Sequence, residues 1–274
     1  MMDKSAIQHI QDTAAIPELI AHISDLPVLS PLVAAPESVT LHDLEKHMPL
    51  ASRFRLNYAT TSMADFIEYN TLHDLEGATC FVDAEAMRAE SIFDLGTVAE
   101  PGHKENRGLL ELKELAAYAA IRQVNGVAMG QKKAAEFIED WADNCTSIVA
   151  KGGDHMEPMA AAAALCDLTI AAAREVNSIV DDFGASMSAM ERIEAKNQDA
   201  IPATMIFTTA PYSGLALRVI AVRIGLLTTE DKPKIVLRIL RLEQLQEDIA
   251  GEFKDEILNS TEDLELKTFI GEVR

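Results

Sequence analysis

Residues 217–242 read LRVIAVRIGLLTTEDKPKIVLRILRL, and this stretch decides the fold of the second half of the chain. Two apolar arms, 217–226 and 234–242, flank the turn-like segment 228–233, a pattern that predicts a long β-hairpin. Side chains along a strand point alternately to its two faces. In each arm of this hairpin both alternating sets of positions contain apolar residues, so both faces are apolar. Since such strands are covered on both sides, we expect a helix layer, a second sheet or another subunit over the second face.

Charge is segregated around the hairpin. Residues 216–242 hold six basic and two acidic residues, whereas residues 243–274 hold three basic and ten acidic residues. A second copy of the chain could match these opposite charges, and such complementarity governs the choice of partner. We therefore expect a homo-oligomer; the alternative is that alternating charges only keep a sheet edge soluble. The candidate interface residues are Arg218, Arg223, Lys234, Arg238 and Arg241.

The first part of the body mixes strands and helices. Residues 53–58 alternate as a strand with one buried face, and Ser62 with Asp65 resembles a capping box at the start of a helix. Residues 79–82 form a second strand candidate. The connection between the two strand candidates is long enough for the crossover that parallel pairing requires. Antiparallel pairing of the two strands is the alternative.

Residues 91–98 predict a further strand, and the next segment is ambiguous. Residues 109–113 alternate as a strand, but residues 109–122 fit a helix equally well, and periodicity does not decide between them. Residues 131–141 predict an amphipathic helix, and an alanine-rich helix is expected over residues 158–174.

The predicted class is α+β. Residues 1–36 form an N-terminal helical arm, interrupted at Pro17, and a proline-rich connector. Residues 37–274 form a single body, within which the glycine-containing residues 151–158 are the one candidate seam. This body has a mixed α/β middle and a mainly antiparallel C-terminal sheet, with a closing amphipathic helix over residues 242–258.

The composition of the 274 residues limits the function classes. With 24 basic and 44 acidic residues the net charge is −20, which disfavours direct nucleic-acid binding because affinity for phosphates needs clustered Lys and Arg. We find no apolar stretch long enough to span a membrane and no signal peptide, and expect a cytoplasmic protein. We expect Cys80, Cys145 and Cys166 to be reduced and mostly buried.

We find no sequence motif for metal binding, cofactor binding or nucleophilic catalysis, and we assign none of these. The most polar cluster is His103 with Lys104 and Arg107, whose donors could meet a phosphate or a carboxylate. The alternative is a turn after Pro101 and Gly102 whose side chains cap neighbouring backbone groups.

Several segments taken together carry a family resemblance. They are Pro36, residues 41–45 (LHDLE), residues 64–69 (ADFIEY) with His73, residues 81–83 (FVD), residues 102–107 (GHKENR) and residues 131–139 (QKKAAEFIE). As a set they resemble the YfdQ-like family of phage and prophage proteins over nearly the whole chain. The resemblance implies a role in phage DNA metabolism or in managing the host, and it carries over no catalytic residue.

The sequence therefore favours a non-enzymatic phage accessory protein that self-assembles and binds a phage or host partner. A second reading is an acidic mimic of nucleic acid that occupies a basic protein surface. A third is an enzyme that acts on nucleic acid or nucleotides, with His103, Lys104 and Arg107 near the reacting phosphate. Direct DNA binding through the basic hairpin is the least favoured.

Overall fold

The computed structural model describes residues 49–168, 200–227 and 233–273, together with residues 13–14 and 45. Apart from residues 13–14, the predicted arm and connector over residues 1–36 lie outside this part. So does the end of the predicted alanine-rich helix, residues 169–174. Met1–Phe54 and Arg55–Arg274 group into separate compact units, and the architecture below is that of the second unit.

The first layer of Arg55–Arg274 is a five-stranded mixed sheet with strand order β1-β4-β3-β2-β11. The helices α1 and α5 pack on one face of this sheet. The bounds are β1 Leu56–Thr60, α1 Met63–Leu72, β2 Thr79–Asp83, β3 Arg88–Ile92, β4 Asn106–Glu111, α5 Leu242–Thr261 and β11 Lys267–Ile270.

The predicted strand, helix and strand over residues 53–82 form, but the two strands do not pair. The Ser62 hydroxyl accepts a hydrogen bond from the Asp65 amide and caps α1, as the sequence indicated, and Phe66 is fully buried. β1 pairs in parallel with β4, and β2 pairs with β3 and β11. The hairpin formed by β3 and β4 therefore lies between the two strands of this unit.

Two predictions in the next segment need correction. The strand expected over residues 91–98 is β3, Arg88–Ile92, and it ends early because the chain turns at Gly96, whose φ is +72°. The ambiguous segment 109–122 contains both a strand and a helix. β4 ends at Glu111 and α2, Ala116–Val124, follows after an extended Leu115.

The second layer is a six-stranded sheet, antiparallel throughout, with strand order β5-β10-β9-β8-β6-β7. The predicted hairpin is confirmed as β9 and β10, with Leu226 opposite Ile235. The glycine-containing break at residues 151–153 is the turn between β6 and β7. The bounds are β5 Ala128–Gly130, β6 Cys145–Ala150, β7 His155–Met156, β8 Pro202–Thr209, β9 Arg218–Leu227 and β10 Lys234–Ile239.

Two helices of this layer pack against each other, and one glutamine of the first hydrogen-bonds the end of the second. The predicted helix over residues 131–141 is α3, Gln131–Asp140, and the alanine-rich helix is α4, Pro158–Cys166. The Gln131 amide nitrogen donates to the carbonyls of Leu165, Cys166 and Leu168 at 3.0, 3.0 and 2.8 Å. This side chain therefore satisfies carbonyl groups that the end of α4 leaves without helical partners.

The closing helix is confirmed as α5, which is longer than predicted. It buries Ile249, Phe253 and Ile257 in the core shared by both sheets, while its acidic residues other than Glu252 are exposed. β11 follows α5 and completes the five-stranded sheet. No helix in the described ranges has the length and apolar character that crossing a membrane would require.

Candidate functional site

The outward face of the six-stranded sheet carries two of the five basic candidates, Arg223 and Arg238. On β9 the side chains of Ile220, Val222 and Ile224 are buried under the helices, whereas Val219 is 71% exposed and Arg223 is exposed. The expectation that the hairpin is covered on both faces is thus not met by the described residues of one chain. We call the outward face of β8, β9 and β10 the open sheet face.

Two arginines lie side by side on the open sheet face. Arg223 on β9 is the direct cross-strand partner of Arg238 on β10, and Thr204 on β8 is opposite Arg223 on the other side. Both arginines are exposed, and neither makes an ion pair or hydrogen bond in the described part of the chain. Like charges placed directly opposite each other destabilise a sheet. We call Thr204, Arg223 and Arg238 the arginine row.

The other three basic candidates are placed differently. Arg218 forms an ion pair with Glu252 on α5, and its side chain is only 23% exposed, so it ties the sheet to the helix. Lys234 is half-buried at the start of β10, and Arg241 is exposed at the N-terminus of α5 with φ +56°. The structure therefore brings together Arg223 and Arg238 on one surface.

The His103 loop is a tight turn held by Asp94. The Asp94 carboxylate accepts hydrogen bonds from the amides of Glu105 and Asn106 at 2.9 and 3.0 Å. The Gly102 amide donates to the Leu95 carbonyl at 2.8 Å. A Cβ at Gly102 would lie 1.8 Å from the Asp94 carbonyl oxygen, so only glycine fits there. These hydrogen bonds to backbone amides therefore account for the conformation of the loop.

Two of the three catalytic candidates line one cleft, of about 690 Å³, beside β1 and β4. Lys104 and Arg107 are among its lining residues, but His103 is exposed outside it. The Arg107 guanidinium donates to the Lys104 carbonyl at 2.8 Å and to the Glu90 carboxylate at 3.2 Å. Glu90 also pairs with Arg88 at 3.0 Å, so the charges here are largely satisfied within the protein.

A second cleft combines residues that the sequence analysis did not single out. It has a volume of about 570 Å³ and lies between α2, α5 and the turn that joins β2 to β3. Its floor includes the buried Tyr118 and Tyr212, and burial raises the pKa of both phenols above the usual value. We call it the tyrosine cleft. Its two tyrosines lie far apart in the sequence and share no motif, so no local signal could have revealed it.

Two of the three cysteines are buried and unreactive in the described structure. All three are free thiols; Cys80 and Cys145 are buried and Cys166 is exposed, which confirms reduced and mostly buried cysteines. Burial raises the pKa of Cys80 and of Cys145 to about 11, which keeps both thiols protonated and unreactive at neutral pH. Among the described residues no three His, Cys, Asp or Glu side chains converge to hold a metal ion.

Comparison with known proteins identifies a family. The model of a family described as "Uncharacterized conserved protein (DUF2303)" matches residues 3–273, nearly the whole chain. No curated protein and no solved structure matches the sequence.

Proposed function

We propose that this chain, which belongs to the DUF2303 family, acts by binding rather than by catalysis and assembles with copies of itself through the open sheet face. The observation that carries the proposal is the arginine row. Arg223 and Arg238 are exposed, adjacent and without an ion pair in the described part of the chain. Repulsion between them makes an acidic partner favourable at this surface.

The occupant that we propose is the acidic end of α5 in a second copy. The exposed carboxylates at this end are Asp255, Glu256, Glu262, Asp263 and Glu265. Val219, Ile206 and Thr208 next to the arginine row would supply apolar contact around the charge pairs. The contact joins the arginine row of one copy to the acidic surface of another, so it forms twice in a two-fold dimer or once between neighbours in a closed ring or a filament.

The biological setting follows from the resemblance to the YfdQ-like phage and prophage proteins. We propose a cytoplasmic accessory role in phage DNA metabolism or in managing the host, exerted by the assembled protein on a phage or host partner. The charge of −20 also suits a nucleic-acid mimic. A mimic needs no self-assembly, so the size of the protein in solution separates the two readings.

The test is the absolute mass from light scattering between about 0.01 M and about 1 M salt, over which the screening length falls from about 30 Å to about 3 Å. We expect a multimer of the 29.9 kDa chain that weakens as salt rises. The variant Arg223→Glu/Arg238→Glu should be monomeric with an unchanged circular dichroism spectrum. The matched control Lys132→Glu/Lys133→Glu makes the same charge change on an exposed face of α3 and should remain multimeric.

A mixing experiment identifies the occupant. A second variant, Glu262→Lys/Glu265→Lys, removes the acidic surface and leaves the arginine row intact. Each variant alone should be monomeric, and an equimolar mixture should form a heterodimer of about twice 29.9 kDa, because one functional surface of each kind remains. A monomeric wild type at low salt would overturn the self-assembly proposal, and a mixture without heterodimer would overturn the proposed contact.

A further inference from the structure

We infer that His155 is a further contact residue of the proposed interface, where it binds a carboxylate of the second copy and makes assembly depend on pH. The inference rests on the proposed function, because it takes the partner of His155 from the proposed contact between the arginine row and the acidic end of α5. It adds the direction in which that helix crosses the sheet and a condition that regulates the contact.

The arginine row continues across the sheet as far as His155. Thr204, at one end of the row, is opposite Val149 on β6, and Val149 is opposite His155 on β7. Residues directly opposite each other in an antiparallel sheet lie on the same face. His155 is exposed and therefore lies on the same outward face as Arg223 and Arg238. Five neighbouring strands thus carry one line of residues, with Arg238 at one end and His155 at the other.

The length of this line fits the acidic end of α5. Neighbouring strands lie about 4.8 Å apart, so Arg223 and His155, three strands apart, are separated by about 14 Å. On α5 the exposed Glu256 and Glu262 lie three residues on either side of the exposed Asn259, so they share one side of the helix and are about 9 Å apart. The lengths of the arginine and glutamate side chains make up the difference. With Glu262 at Arg223, a helix that crosses the strands places Glu256 at His155.

The imidazole of His155 has a ring nitrogen available for this contact. Its Nδ1 lies 3.4 Å from the hydroxyl oxygen of Ser147, which leaves Nε2 for a partner. The described strand that pairs with β7 is β6, and it presents the uncharged Ser147 and Val149 here. The charged residues beside His155 in the chain are all exposed, and they are Lys151, Asp154 and Glu157. Water screens exposed charges, whereas a carboxylate held in an interface is screened less, so assembly adds a strong negative charge next to His155.

The sign of the pH dependence follows from this added charge. Histidine is the side chain whose charge changes between about pH 5 and about pH 8. A neighbouring carboxylate favours the protonated imidazolium, so the assembled protein holds the proton of His155 more tightly than the free chain does. Assembly is therefore favoured as the pH falls, and this contribution is lost as the pH rises. The contacts of the arginine row do not change in this range, because arginine and the carboxylates both stay ionised.

The experiment is a dilution series followed by light scattering at about pH 6 and about pH 8, at one ionic strength. We expect the dissociation constant of the wild-type assembly to be about two- to fivefold lower at the lower pH, the range of an exposed ion pair. His155→Gln should lose this dependence. His155→Lys, which is positively charged at both pH values, should assemble tightly at both. The matched control His103→Gln changes an exposed histidine outside the open sheet face and should keep the wild-type dependence.

A variant of α5 identifies the partner of His155. Glu256→Gln should remove the pH dependence, and combining it with His155→Gln should have no further effect on it, because the two side chains form one contact. The control Glu247→Gln removes an exposed carboxylate in the first half of α5 and should leave the dependence unchanged.

The inference and the proposed function can fail separately. A wild-type assembly that does not change with pH, or an unchanged dependence in His155→Gln, would overturn the inference and leave the contact through the arginine row standing. If His155→Gln removes the dependence and Glu256→Gln does not, the direction of the helix is wrong and the inference fails as stated. A wild type that is monomeric at both pH values would overturn the proposed function and this inference with it.

Discussion

Replacing Gln131 by glutamate should destabilise the protein, although the two side chains have nearly the same size and shape. The Gln131 amide nitrogen donates to three carbonyl groups at the C-terminal end of α4, at 2.8 to 3.0 Å. A carboxylate has no N–H donor, so the variant would place a negative charge against these carbonyl oxygens. The negative pole of the α4 dipole adds to the repulsion, and the positive pole at the start of α3, where residue 131 lies, offsets part of it.

The magnitude follows from the donors that are lost. An amide nitrogen carries two hydrogens, so at most two of the three contacts are full hydrogen bonds, and their loss costs about 1–3 kcal/mol. An unfavourable charge at a helix terminus adds about 0.3–1 kcal/mol. We expect Gln131→Glu to lower the free energy of unfolding by about 1–4 kcal/mol in total, and Gln131→Met, which is uncharged and of similar length, to lose only the first part.

The assay is urea denaturation followed by circular dichroism at neutral pH. The control is Gln123→Glu, which makes the same chemical change at an exposed position in the last turn of α2 and should cost only the about 0.3–1 kcal/mol of a negative charge at a helix C-terminus. The expected order of stability is wild type first, then Gln123→Glu, then Gln131→Met, then Gln131→Glu. If Gln131→Glu is as stable as its control, the amide does not hold the end of α4 and the reasoning is refuted.

Glycine and cysteine positions give further expectations. Gly102→Ala should cost about 1–3 kcal/mol because the added Cβ would lie 1.8 Å from a backbone carbonyl oxygen, whereas Gly251→Ala, with nothing within 4 Å, should stabilise α5 by about 0.5–1 kcal/mol. In thermal denaturation the midpoint should fall for Gly102→Ala and rise for Gly251→Ala. Midpoint shifts in the same direction for both variants would contradict the loop geometry. Ellman's reagent near pH 8 should modify Cys166, while Cys80 and Cys145, whose pKa burial raises to about 11, should react only after denaturation. Reaction of all three thiols in the native protein would contradict the burial of Cys80 and Cys145.

Elements whose pattern is complete within a few residues could be predicted from the sequence. α1 begins after Ser62 because its hydroxyl caps the Asp65 amide, and that pairing is visible as a three-residue spacing. The hairpin of β9 and β10 was likewise predictable, since its two arms are separated by only a few residues in the sequence. In each case the decisive contact is local.

The strand order of the five-stranded sheet could not be predicted in the same way. β1 and β2 run in the same direction but are separated by β3 and β4, and β11 joins β2 from the far end of the chain. Such pairings depend on packing between distant segments, and the alternation of apolar residues along one strand carries no information about its neighbour.

The same distinction applies to the candidate residues. The sequence grouped five basic residues by proximity in the chain, but register and packing separate them. Arg223 and Arg238 meet because the hairpin register places them opposite each other, whereas Arg218 turns to α5 because Glu252 lies within reach there. Tyr118 and Tyr212 come together only through the fold, so the tyrosine cleft was not predictable from spacing.

Comparison of Arg218 with the arginine row explains why the positive charges of Arg223 and Arg238 remain unpaired within the described part of the chain and can bind a partner. Arg218 is neutralised within the chain by Glu252, which shows that a hairpin arginine pairs with α5 where the two elements meet. Arg223 lies five residues farther along β9, and because successive side chains of a strand point to opposite faces, it lies on the face opposite to Arg218. Arg223 makes no ion pair with any described residue. Opposite charges that one chain keeps apart in this way can be neutralised by a second copy, and the contact that we propose has this basis.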